Sequence, residues 1–441
     1  MFCVKKMRLL WVLLLTCFAA AAEKLVQVSA SEFQEITQVI VSNITEITPP
    51  SFRQEIETLD LQTRLSRSTG KWNASHPRHR LLMALYGFSR YKQLNLAEVK
   101  KWRDMYKHVP KTQKNLVEKV IRYTKKLNTV EHLFEENDVL AADVLRVGME
   151  YYDISQTELD AFIKDMEKDK KNPDRTSVVQ AMKHFVRDWS EEGKSEREGA
   201  FRCILSNLDG MERSDEKPLR LLAPGAGAGR LGYEIDALGG FEVTINEWSA
   251  YMNLVHRYAS QFSTPNSISY YPYIDWWSHH ATTPDMQRSV IFPDWTLKTK
   301  SSPSSIVMVE GDFTTVFPES DSGTYDIIVT LFFIDTARNL MSYLETVHRL
   351  LKSGGTWINL GPLLYGTGPW LQLSVDEILK VSEELGFVFD ADGEEENICG
   401  SPTRGDGLDG KARSLYVPYA QNEKGLSRNA YDAQFWRARK V

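Results

Sequence analysis

Leu219-Arg220-Leu221-Leu222-Ala223-Pro224-Gly225-Ala226-Gly227-Ala228-Gly229-Arg230-Leu231 is the stretch on which the fold turns. A short apolar run enters three alternating glycines and leaves in a segment with helical spacing. Glycine tolerates positive φ and leaves room beside the backbone, and the helix behind it offers unpaired N–H groups to a ligand. A dinucleotide fingerprint would need a further glycine at position 230, where this chain has arginine. That departure weighs against an NAD-dependent oxidoreductase and towards another nucleoside cofactor.

Outward from this turn, helical and extended patterns alternate. Residues 231–238 read as a helix ended by Gly239-Gly240, and 241–245 as a strand. Further strands are expected over 306–309, 325–333, 356–360 and 387–389, with helices over 340–351, stopped by Gly354-Gly355, and over 376–385. Such alternation predicts an α/β fold, a doubly wound and mostly parallel sheet covered on both faces.

Upstream, residues 23–175 are charged and helical, with Leu81, Leu82, Leu85 and Phe88, then Leu116, Val120, Tyr123 and Leu127, at helix spacing. They are expected to form an N-terminal helical region before a catalytic domain over 176–441. Within that domain a Tyr-, Trp- and Pro-rich insert at 265–305 is too long for an ordinary connection, and reads either as a substrate lid or as an apolar plug over the sheet.

The 441 residues carry 53 Lys+Arg against 59 Asp+Glu, a formal charge of −6, which weighs against a nucleic-acid partner. Residues 1–22 have the form of a secretory signal. Lys5, Lys6 and Arg8 precede an uncharged run that ends in Ala19-Ala20-Ala21-Ala22. The expected location is the secretory pathway or the extracellular space, with no membrane attachment after cleavage; an uncleaved anchor is the lesser alternative, and the cytosol applies if the leader is unused. Sequons at Asn43 and Asn73 fit the lumenal route. Cys3 and Cys17 fall in the leader, leaving Cys203 and Cys399, whose pairing the sequence leaves open.

Two further marks accompany the glycine turn. Glu247 follows the second strand, 22 residues after Gly225, where a carboxylate can accept hydrogen bonds from ribose hydroxyls. Gly311-Asp312-Phe313 follows the third strand with a carboxylate and a ring suited to an adenine. No metal site is expected. Together these marks resemble the class I S-adenosylmethionine-dependent methyltransferases, whose sheet has seven strands.

Finer stretches narrow the resemblance. Phe185-Val186-Arg187-Asp188-Trp189-Ser190, Asn246-Glu247-Trp248-Ser249, Phe332-Phe333-Ile334-Asp335-Thr336-Ala337 and Trp357-Ile358-Asn359-Leu360-Gly361-Pro362-Leu363-Leu364-Tyr365 are similar to the carnosine N-methyltransferase family. The resemblance implies S-adenosyl-L-methionine as cofactor, held by His184, Arg187, Gly225, Gly227, Glu247, Asp312, Phe313 and Ile327. It implies a small-molecule or peptide acceptor held by Asp335, Tyr431 and Tyr419, and it is compatible with a homodimer. Residue by residue, Arg187 is the expected partner of the methionyl carboxylate, and His184 stands where the family usually has glutamine. Asp335 could instead be a helix N-cap. Two departures stand out. Gly366 occupies the place of the family's substrate-contacting histidine, and the leader contrasts with relatives that work in the cytosol. A secreted binding protein that keeps the fold without catalysis is the competing expectation.

Overall fold

The computed structural model describes residues 50–297, 306–366, 368–391 and 397–441. The leader and the Asn43 sequon lie outside them. From Ser51 to Val441 the chain is one compact unit. Its first part is helical: α1 (Phe52–Leu65), α2 (Pro77–Ser89), α3 (Tyr91–Tyr106), α4 (Lys111–Val120), α5 (Tyr123–Tyr151), α6 (Gln156–Lys168), α7 (Arg175–Trp189) and α8 (Lys194–Asp209). Among the described residues no helix is long and apolar enough to cross a membrane.

The sheet follows with β1 (Leu219–Pro224), β2 (Phe241–Glu247), a small pair β3 (Ile268–Tyr270) and β4 (Val290–Phe292), then β5 (Val307–Glu310), β6 (Tyr325–Leu331), β7 (Leu351–Gly361), β8 (Phe387–Phe389), β9 (Ser401–Pro402), β10 (Arg413–Pro418) and β11 (Ala430–Lys440). Helices α9 (Arg230–Ala237), α10 (Ala250–Ala259), α11 (Leu340–Leu350) and α12 (Val375–Glu384) connect and cover it. The main sheet runs β5-β2-β1-β6-β7-β11-β10-β9, with β8 also on β11. Strands β5, β2, β1, β6 and β7 are parallel and β11 is antiparallel, so the fold is the expected doubly wound one. Chain order reverses direction between β1 and β6, which makes the crevice at their C-terminal ends the natural ligand site.

Two details differ from the sequence expectation, and a third bears on an alternative it left open. The main sheet has nine strands rather than seven, because β8 and β10 share one edge of β11 and β9 extends β10. Gly354-Gly355 does not end a helix. That helix stops at Leu350, and the glycines form an irregularity inside β7, where Gly354 has φ +77° and the register against β6 jumps from Tyr325↔Leu351 to Ile327↔Thr356. The third concerns the insert, whose described residues do not line the main cavity. Phe292 stacks on Phe185 at 5.0 Å, and Asp294 is buried between Arg197 at 2.5 Å and Arg230 at 2.6 Å. Arg288 reaches Asn422 at 2.7 Å. The insert is thus a plug over α7 that also braces the C-terminal loop. Residues 298–305 lie outside the described residues.

Why helices and sheet form one unit is visible in α7. Its N-cap Asp174 accepts from the Thr176 and Ser177 amides, and Val178, Val179, Met182, Phe185, Val186 and Trp189 are buried. These side chains share one core with Leu82 and Leu85 of α2 and with Leu221 and Val243 of the sheet. At the sheet edge, Arg53 of α1 pairs with Glu242 at 3.0 Å, and Gln54 donates to the Ile306 carbonyl. Covering β5 in this way protects an edge that would otherwise expose unpaired backbone groups.

Cys203 and Cys399 are bonded, both buried, 196 residues apart in sequence. Cross-linking a loop of that length restricts the unfolded chain strongly, by up to about 5 kcal/mol on the chain-entropy estimate. The Cys203→Ser/Cys399→Ser double variant should therefore lose about 3–5 kcal/mol in urea unfolding. A midpoint equal to that of the parent would show that the bridge contributes nothing.

Candidate functional site

The glycine turn joins the C-terminal end of β1 to α9, and its three glycines do different work. An added Cβ on Gly225 (φ +69°) would lie 2.4 Å from the Phe333 ring, and one on Gly229 (φ +87°) 2.5 Å from His256. Both positions are demanded by the protein's own packing. Gly227 (φ +56°) has room beside it, with His184 and Met252 no nearer than 3.6 Å to an added Cβ. His256 props the turn from beneath, and burial pushes its pKa down to about 3, so it stays neutral. Arg230 makes the turn rigid from the other side, donating to Asp294, Glu234 and the Asp188 carbonyl. A glycine at 230 would lose all three contacts.

Beside the turn, β2 ends in Glu247. One carboxylate oxygen accepts from the Gly227 amide at 3.0 Å and the other from the Ser249 amide at 2.7 Å. Burial raises its pKa, against the lowering effect of these amides. Glu310 sits directly across in register on β5. It is already engaged, by Arg257 at 2.6 Å, Tyr152 at 2.7 Å and Asn253 at 3.0 Å. Of the two facing carboxylates only Glu247 lines the cavity. Asp312 lines it as well, while its Oδ1 caps the short helix Phe313–Val316 by accepting from the Thr314 amide and hydroxyl. Phe313 packs edge-on against Phe333 at 5.3 Å.

The cavity encloses about 700 Å³ and is lined by His184, Arg187, Gly225, Gly227, Glu247, Asp312, Phe313 and Tyr419 among others. Small-molecule sites span about 300–1,000 Å³. A wider depression of about 1060 Å³ beside the disulfide carries neither the glycine turn nor the carboxylates at the strand ends, so the chemistry selects the smaller one. Ile327 lies deeper in the core of β6; on the same strand face Val329 and Leu331 reach the cavity instead. With a period of two, a contact placed on Ile327 by resemblance falls one pleat short of the crevice.

Arg187 and His184, one turn apart on α7, are both held by carboxylates. Arg187 Nε lies 3.1 Å from buried Glu196, and its guanidinium rests 4.6 Å over the Tyr419 ring. Burial opposes its charge, but Asp188, Tyr419 and Glu196 outweigh this and raise its pKa. His184 Nδ1 is 2.8 Å from Asp188 Oδ2. Burial would raise Asp188, yet His184, Arg187 and Arg197 together hold it low and ionised. These two side chains therefore present cationic and polar edges to the cavity from a buried, charge-balanced support.

Around Arg187 gathers an aromatic cluster. Phe332 stacks on Tyr419 at 5.2 Å, and Tyr431 meets Phe332 edge-on at 6.0 Å and Tyr419 at 5.4 Å. Phe332 has φ +51°, a strained conformation held by the hydrogen bond its N–H donates to the Leu360 carbonyl and by Gly361, where a Cβ would stand 3.0 Å from the Phe332 backbone. Asp335 follows in a turn of 3₁₀ helix. It is not an N-cap, since Phe333 holds that position for the 3₁₀ turn and Asn339 holds it for α11. Asp335 is buried and its pKa is pushed up to about 6, mainly by burial, against a hydrogen bond from the Leu364 backbone. Asp335 and Tyr431 stand next to the lining rather than in it, while Phe333, Thr336 and Tyr419 line it. Sequence reasoning missed Trp248, Arg338, Tyr343 and Trp370, which also line the cavity. Two of them had a faint signal: Trp248 sits within the Asn246–Ser249 stretch that carries the resemblance, and Tyr343, whose ring lies 4.6 Å from that of Phe333, is an aromatic on the inward stripe of a helix.

The site suits S-adenosylmethionine on its own terms: an open glycine at the turn, a carboxylate at the end of β2, a ring and a carboxylate after β5, and a buried, paired arginine. Comparison with known proteins agrees. The profile of the family described as carnosine N-methyltransferase matches residues 164–441. The chain is 30% identical to a carnosine N-methyltransferase of Mus musculus over 73% of its own length and 79% of the relative's. It is 36% identical to one of Rattus norvegicus, over 53% and 59%, and 31% identical to one of Schizosaccharomyces pombe, over 60% and 74%. The chain belongs to the carnosine N-methyltransferase family and is an S-adenosylmethionine-dependent methyltransferase.

Proposed function

We propose that this protein transfers the methyl group of S-adenosylmethionine to an imidazole nitrogen of a histidine-containing dipeptide or a closely related small molecule. The observation that carries the reading is the placement of a buried carboxylate, Asp335, beside Tyr431 and the Phe332–Tyr419 stack at the edge of a fully equipped donor cavity. When bound, the donor supplies an activated methyl carbon, so no acid is required at the leaving sulfur.

The chain's own residues must present a neutral nitrogen, in line and near contact. Ionised Asp335 accepts a hydrogen bond from one imidazole nitrogen, which fixes the tautomer and leaves the other with its lone pair free. Tyr431 and Tyr419 confine the ring. Arg187 and Glu247 fix the donor at its two polar ends. Gly366 is exposed, and an added Cβ there meets nothing within 4 Å. Its lack of a side chain is a chemical choice rather than a steric demand, and it favours acceptors that need fewer polar contacts than carnosine.

A secretory location belongs to the same proposal. It is supported by the leader's composition, the buried Cys203–Cys399 bond and the exposed Asn73 sequon, since structural disulfides persist in oxidising compartments.

Labelled methyl transfer to carnosine, other histidine dipeptides and free amines tests the reading, with transfer to imidazole expected and transfer to amines alone contradicting it. Asp335→Ala should cut turnover by about 10²-fold or more while donor affinity changes less than about threefold. Because the carboxylate must be ionised to accept and the acceptor imidazole must be neutral to attack, kcat/KM for the acceptor should fall as pH drops through about 6, steeply where both titrate, and Asp335→Asn should leave only the shallower limb set by the acceptor itself. Gly366→His should fold normally and lower the KM for carnosine by about tenfold, the value of one added hydrogen bond. An unchanged KM would separate this position from the acceptor.

A further inference from the structure

Helix α2 lies in the N-terminal helical region, ahead of the residues matched by the family profile, yet one of its side chains reaches the donor site. Gly87 makes this approach close: a Cβ there would stand 2.8 Å from Val178 of α7 and 3.1 Å from Tyr251 of α10. Arg80 precedes Gly87 by seven residues, two turns, and so lies on the same face of the helix. There its guanidinium sits 3.8 Å over the Trp248 ring, and it donates to the Trp248 carbonyl. Trp248 follows Glu247 directly, lines the cavity, and is 57% exposed, so the Arg80 stack covers a ring that is otherwise open to solvent over much of its surface.

The charges around Arg80 belong to the donor site. Burial pushes the Arg80 pKa down, while Asp312, Glu247 and Glu310 act to raise it. Two of these, Glu247 and Asp312, line the cavity. The turn that Arg80 grips is also the one that aims Glu247, since Ser249 both donates its amide to Glu247 and caps α10 by accepting from Met252.

We propose that Arg80 is a positioning residue for the donor: by stacking on Trp248 and capping its carbonyl, it fixes the Glu247-Trp248-Ser249 turn against the adenosine half of the bound donor. The helical region is then part of the donor site as well as a scaffold. The proposal rests on the donor reading of the cavity given above.

Calorimetric binding of S-adenosylhomocysteine to the full chain separates the two. Arg80→Ala should weaken the Kd about tenfold, within the range of a partly desolvated cation–π contact plus one hydrogen bond. Donor KM should rise in parallel, with kcat at saturating donor within about twofold of the parent, because a purely binding contact is lost. Arg80→Lys should recover only part of the affinity, as lysine keeps the charge but not the planar stack. Trp248→Ala should weaken binding similarly, and the double variant should be no weaker than the worse single, the mark of one shared interaction. The ligand-free melting temperature guards against a folding defect, and where Arg80→Ala lowers it the Lys and Trp248 variants carry the comparison. A Kd for Arg80→Ala equal to the parent's, strictly additive losses, or a fall in kcat at unchanged Kd would each overturn the proposal. A parent chain that fails to bind S-adenosylhomocysteine would instead refute the donor reading.

Discussion

The turn after β1 is squeezed from two sides, and much of the site follows from that squeeze. Phe333 closes on Gly225 and neutral His256 closes on Gly229, leaving the turn one open position, Gly227. The backbone there is fixed further by the Ala226 amide on the Asn246 carbonyl and the Gly227 amide on Glu247. Tight packing of this kind permits little relaxation, so a side chain at either flank would shift strands or expel its neighbour. The result is a rigid concave edge with amides and a carboxylate facing one way, which is what a nucleoside donor requires.

Charge is managed by the same economy. Three buried arginines near the site are paired: Arg257 with Glu310, Arg197 and Arg230 with Asp294. Breaking such a pair leaves an uncompensated buried charge and is costly, whereas the pair itself adds little. Their role is therefore best read as positional. Glu310 and Asp294 are consumed in structural contacts, while Glu247, Asp312 and Arg187 keep a face on the cavity. The insert's Asp294 thereby ties α7, α8 and the start of α9 together, and the donor loop inherits that stiffness.

Much of this was legible in the sequence because the relevant signals are local. The glycine turn, the carboxylate after β2 and the Asp312-Phe313 pair each follow a strand by a fixed few residues, and a parallel sheet brings such positions to one edge. What could not be read was non-local. Strand β10 opens on Arg413-Ser414, β11 carries Asp432, Gln434, Arg437 and Arg439 among its apolar residues, and β11 buries four consecutive residues from Ala433 to Trp436, so simple alternation is lost. The plug-like insert, the Arg80–Trp248 stack and the bond between Cys203 and Cys399 depend on which distant surfaces meet. Ile327 against Val329 is a smaller case, where the strand was recognised but the depth along it was not.

Glu247 and the turn behind it hold the donor. The most direct test is the affinity of S-adenosylhomocysteine for the parent chain and for Glu247→Ala, measured by calorimetry. The parent should bind, and the variant should lose at least about tenfold in affinity, as for a carboxylate that bonds a ligand hydroxyl. Equal affinity in the two proteins would place the donor elsewhere and contradict the account.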